Sequence, residues 1–187
     1  MTPFTGGFAA WPMESGAVEW HSFIVLILCA PAFLLVFPPR LWPRLVHVPI
    51  GTLLLAMREG QSDWWIIDER LLGPAFYIEQ GLTPTALVGG AIALLVLASV
   101  GTLVVFGLPT LWRAMRTRSV WTVILGLAGA LAIFAQIVED FLMPPLTALG
   151  GEWFAQICEE VPELLFATLI LEAILAAAPV AASEKRA

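Results

Sequence analysis

Long apolar runs separated by short polar clusters set the pattern of this chain. Three runs, Ala86 to Leu108, Val120 to Val138 and Leu164 to Val180 with an upstream extension, approach or exceed the length that crosses a ~30 Å hydrocarbon layer. Each has a start signal. Thr83-Pro84 supplies an N-cap with proline at the first helical position, Ser119 caps the next run, and Pro162 begins or kinks the last. A fourth run, Phe23 to Phe37, lengthens through Trp20-His21-Ser22 and is closed by Pro38-Pro39.

The fifth run, Leu45 to Met57, is short and carries His47 and Pro49. Its length by itself suggests a re-entrant or surface helix. The positive charges argue for a crossing. If it crosses, Arg40, Arg44, Arg113, Arg116, Arg118, Lys185 and Arg186 share one side, leaving Arg58 and Arg70 on the other. If it does not, the basic loops split between the two faces, against the positive-inside rule.

The same arrangement sorts the tryptophans into two belts. Trp11, Trp20, Trp64, Trp65 and Trp153 fall at the outer rim, and Trp42, Trp112 and Trp121 at the inner one. The pattern therefore predicts an all-α, polytopic transmembrane helical bundle in one domain, with spans at about 20–37, 45–57, 84–108, 120–142 and 160–180. The N-terminus is expected outside and the C-terminus in the cytoplasm. Between Glu59 and Gly81, Trp64, Ile67 and Leu71 recur at helical spacing behind Asp63, which predicts an outer helix lying in the interface. The four-residue spacings Ala86/Gly90 and Gly126/Ala130 predict close helix contacts.

Composition agrees. Of 187 residues, 59% are hydrophobic and 13% charged, against roughly 25% charged in a soluble domain. The solvent for most of this surface is lipid. Two cysteines, Cys29 and Cys158, make no disulfide framework. The first 39 residues hold no Lys or Arg, so neither a cleaved signal peptide nor a transit peptide is expected. No internal repeat is visible in the sequence, which argues against inverted-repeat transporter folds.

Charge then adds a polarity. Glu14, Glu19, Glu59, Asp63, Asp68, Glu69, Glu79, Glu139, Asp140, Glu152, Glu159, Glu160 and Glu163 all fall on or near the outer face, an acidic field able to attract cations or a basic partner. Glu152, Gln156, Glu159 and Glu163 share one helical stripe, and Gln136 and Asp140 are four apart beside Glu139. Carboxylates at a membrane boundary need hydration, a partner or a proton. Arg58 is the natural counter-charge, and an ion pair from Arg58 to Asp140 or Glu163 would tie three helices together. A cation site built from Glu159, Glu163, Asp140 and His21 is the sharper alternative.

Glu172 stands apart, inside the last apolar run between Leu169-Ile170-Leu171 and Ala173-Ile174-Leu175. An intramembrane carboxylate is a functional candidate, either as a protonated group bonded to a neighbouring helix or as a proton relay. His21 and His47 are expected near opposite faces, too far apart to ligate one haem, so no cofactor is expected. No phosphate-binding glycine loop, nucleophile triad or Cys-x-x-Cys pair occurs in the sequence, and nothing points to nucleic acid. No catalytic residues are expected.

The stretch Leu53-Leu54-Leu55-Ala56-Met57-Arg58-Glu59, followed by Phe76-Tyr77, resembles a motif of small uncharacterised bacterial multi-pass membrane proteins. In these an apolar helix ends in Ala-x-Arg-Glu and the last span is acidic, like Glu159-Glu160 with Glu163 here. The resemblance implies a bacterial inner membrane and lends no activity. Two functions follow as expectations. One is a non-catalytic accessory or assembly subunit of a larger respiratory or photosynthetic membrane complex, with the bilayer and other membrane subunits as partners. The other is a small cation or proton transporter with an acidic outer vestibule. A lipid-directed enzyme would need an acid/base pair facing the core or cytoplasm, and no such pair is evident.

Overall fold

The structure, a computed structural model, describes residues 16–59, 77–78 and 81–178. It is all-helical, with no strand among the described residues. The longer helices are α1 (Ala17–Val36), α2 (His47–Glu59), α3 (Pro84–Thr102), α4 (Leu108–Arg116), α5 (Val120–Ile137) and α6 (Met143–Ala176), with short helical turns at Pro39–Leu41 and Trp42–Leu45 between α1 and α2. Three continuous stretches, Val18–Val36, Ala86–Arg116 and Val120–Ala176, are long and apolar enough to cross a membrane, and His47–Met57 is a shorter apolar helix. The expected outer helix around Trp64 to Leu71 lies outside the described residues.

Two proline-containing stretches that read as helix ends are carried through by the same device. Leu103–Gly107 is a π-turn just before Pro109, and Val138–Leu142 is another just before Pro144-Pro145. Proline lacks an N–H, and its ring collides with the carbonyl four residues back. A widened turn moves that carbonyl aside, so α3 runs on into α4 and α5 into α6. The span expected to stop near Leu108 therefore continues to Arg116.

The real break is Gly151, at φ 80° and ψ 172° inside α6. These angles belong to a region that is essentially glycine-only. Beyond it, residues 152–176 pack back along α5 and alongside α1. The last long helix thus begins before Pro162, which sits buried within it, rather than at that residue. The Thr83 cap is present, its Oγ1 accepting from the Ala86 N–H at 3.3 Å. Ser119 occupies the N-cap position of α5 with no side-chain cap bond; instead its hydroxyl lies 3.2 Å from that of Thr122.

Two clusters define the core and the helix directions. Leu26 of α1 meets Leu55 and Ala56 of α2 and Ala167 and Ile170 of α6. Farther along α1, Cys29 and Phe33 meet Leu45 and Val48 on one side and Ile170, Leu171 and Ile174 on the other. Ascending numbers on α1 match ascending numbers on α6 and descending ones on α2. Residues 152–176 therefore run parallel to α1, and α2 runs antiparallel along α1.

The contact face of α1 is Glu19, Ser22, Leu26, Cys29 and Phe33, spaced by three and four. Its counterpart on α6 is Glu160, Glu163, Ala167, Ile170 and Ile174, with the same spacing. Two polar groups of α1 in this seam are satisfied by their own helix. The Ser22 hydroxyl donates to the Val18 carbonyl at 3.2 Å and the Cys29 thiol to that of Val25 at 3.4 Å. At the far end, the Trp42 indole N–H donates to the Phe37 carbonyl at 2.8 Å and fixes the chain as it leaves α1.

Candidate functional site

Three groups of polar side chains stand out. The first lies at the Glu19 end of the α1/α6 seam. Parallel packing brings Glu19 near enough to Glu160 to repel it, with Glu159 adjacent. Glu159, Glu160 and Glu163 are all half-buried, and Glu160 Oε2 is enclosed with no hydrogen-bond partner among the described residues. Glu152, the first member of the expected carboxylate stripe, is exposed.

Glu139 and Asp140 form the second group, on the π-turn that follows α5. The Gln136 amide donates one hydrogen to Glu139 Oε2 and the other to Asp140 Oδ2, each at 3.1 Å. One neutral amide thus bridges both carboxylates, and all three side chains are exposed. His21 is exposed on the first turns of α1. Arg58 ends α2, but its side chain, and so the expected pairing with Asp140 or Glu163, lies outside the described residues. Among the described residues no group of three or more His, Cys, Asp or Glu side chains is arranged to hold a metal ion.

The third group centres on His47, which the sequence placed near the inner face without indicating its contact with Gly107 and Ser99. Its imidazole lies against the backbone of Gly107, where a Cβ would come within 2.8 Å of Nε2. The Ser99 hydroxyl makes a long hydrogen bond, 3.5 Å, to the His47 carbonyl, while Nδ1 is enclosed with no partner among the described residues. This contact joins α2 to α3 and its π-turn. The signal in the sequence was a glycine two residues before a proline, which marks a place where a helix can widen and accept a neighbour.

Antiparallel packing of α1 and α2 sets His21 and His47 at opposite ends of that pair. Of the two small-residue spacings, Ala86/Gly90 packs against Tyr77, whereas Gly126 and Ala130 both face outward. The expected contact at Gly126 is therefore absent among the described residues: its own helix backbone aside, none of their atoms lies within 4 Å of a Cβ built there. Glu172 is exposed on the outside of the bundle, while its neighbours Ala173 and Ile174 are buried.

No protein-family model, curated protein or solved structure matches the chain.

Proposed function

We propose that this chain is a non-catalytic integral membrane subunit that packs, as an accessory or assembly factor, against a larger membrane complex of respiratory or photosynthetic type. The observation that carries this reading is the bareness of Ala86–Arg116. It is 31 residues long, yet only 6% of its most apolar stretch is buried. A hydrocarbon-lined groove runs between Tyr77, Ala86, Gly90 and Leu94. A helix held at one edge through the contacts of its Ser99 and Gly107 with His47 leaves most of its circumference for neighbouring subunits or lipid.

The topology belongs to the same reading: five crossings of a bacterial inner membrane, with the N-terminus outside. Support comes from α2 running alongside α1 between the levels of Phe33 and Leu26, and from the seven basic residues that five crossings gather on one side. Cation or proton transport draws less support, because a relay along the bundle interior would not use a carboxylate on its outer surface.

Native purification in mild detergent, followed by mass spectrometry, tests the proposal. The expected result is one or more different membrane proteins at fixed stoichiometry with this chain. A particle containing this chain alone, recovered from native membranes under conditions that keep other complexes intact, overturns it.

A further inference from the structure

Glu172 has hydrocarbon residues on both sides along its helix. Ile170 packs into both three-helix clusters and Ile174 into the second, so the carboxyl is level with Cys29 to Phe33 of α1, short of Pro38. Ala173 and Ile174 turn inward, and Glu172 points the other way, with none of the described residues bonded to it. Val161, Leu165, Thr168, Glu172 and Leu175 recur at spacings of four, three, four and three and form one outward seam. Val161, Leu165 and Leu175 on it are 41%, 47% and 50% exposed.

A carboxyl left against lipid tails is costly, whether ionised or neutral and unbonded. In the sequence the nine Lys and Arg residues all lie at the ends of the apolar runs or between them, and none falls inside a run as Glu172 does. A two-fold axis parallel to the helix solves the problem, because it brings every seam residue to its own copy at the same depth. A neutral carboxyl both donates and accepts a hydrogen bond, so two facing Glu172 side chains satisfy each other without a cation. We propose that the seam formed by Val161, Leu165, Thr168, Glu172 and Leu175 is a parallel two-fold interface with a second copy of this chain, closed by reciprocal hydrogen bonds between the Glu172 carboxyls. This goes beyond the accessory-subunit reading and does not depend on it.

The test uses the full chain in lipid nanodiscs, with energy transfer between differently labelled copies and disulfide trapping of single introduced cysteines. The unmodified protein dimerises, and Glu172→Leu weakens association at least about tenfold. Glu172→Gln keeps it, since an amide also donates and accepts. Leu165→Cys and Leu175→Cys trap covalent dimers above the background of Cys29 and Cys158, whereas Leu127→Cys, exposed on α5, does not. Monomers in the unmodified protein, unchanged association in Glu172→Leu, or trapping confined to Leu127→Cys each overturn the proposal. If Glu172→Leu loses helicity, the trapping result and Glu172→Gln decide.

Discussion

The imidazole of His47 rests on the bare backbone of Gly107, and a methyl group on that glycine would stand 2.8 Å from Nε2. The contact joins α3 to α2 at the π-turn. Gly107→Ala is expected to push the ring away and to destabilise the protein by about 1–3 kcal/mol, the usual penalty of overpacking. Gly101→Ala, where none of the described residues beyond its own helix backbone lies within 4 Å of the added Cβ, serves as the control. It should be neutral or stabilising by up to about 1 kcal/mol, since alanine favours helix over glycine. Thermal unfolding of both variants in the same detergent checks the pair; equal melting temperatures would mean that the ring does not press on Gly107.

Gly151 makes the corner between α5 with its extension and the returning helix. At φ 80° and ψ 172° a Cβ is strained whatever the free space around it. Gly151→Ala should cost about 1–3 kcal/mol. Faster proteolysis at this corner and a lowered melting temperature are the measurements, and an unchanged variant would show that the corner relaxes without glycine.

Leu26 and Ala167 meet where three helices converge, and both are almost fully enclosed. Leu26→Ala leaves a cavity and is expected to cost about 2–5 kcal/mol. Ala167→Leu forces α1 and α6 apart at about 1–3 kcal/mol. Leu127→Ala, exposed on α5, should change stability by less than about 1 kcal/mol. Denaturant titration of helicity separates the three; comparable losses at 127 and 167 would contradict this division into inward and outward faces.

The five crossings proposed above would place the two termini on opposite sides of the membrane. Tags before Gly16 and after Ala178 should therefore show opposite access to protease added to intact cells or inverted vesicles, with the N-terminal tag cleaved from outside. Both tags cleaved from one side would end the five-crossing topology, and with it the acidic outer face.

The sequence made the helices legible because each run is apolar over its whole length, and in lipid only helices satisfy their own backbone. Thr83 was legible as a cap for an equally local reason, the hydroxyl one residue before Pro84. The acidic candidates were legible as residues but less so as a site. Glu160, whose Oε2 is enclosed at the seam, stood outside the expected stripe of Glu152, Gln156, Glu159 and Glu163.

The amino-acid sequence by itself determined that this chain is helical, that it carries stretches long and apolar enough to cross a membrane, and where charge interrupts them. Those properties depend on residues near one another in the chain. Only the tertiary structure decided that Glu19, Ser22, Leu26, Cys29 and Phe33 form the buried face of α1, that Gly126 looks outward, that Gly151 rather than Pro162 sets the last helix, and that Glu172 leaves the bundle. The reason is physical. On a helix that is apolar all round, hydrophobic periodicity vanishes, and the inward face is chosen by close fit and by polar atoms that find partners, neither of which is written in a single run of residues.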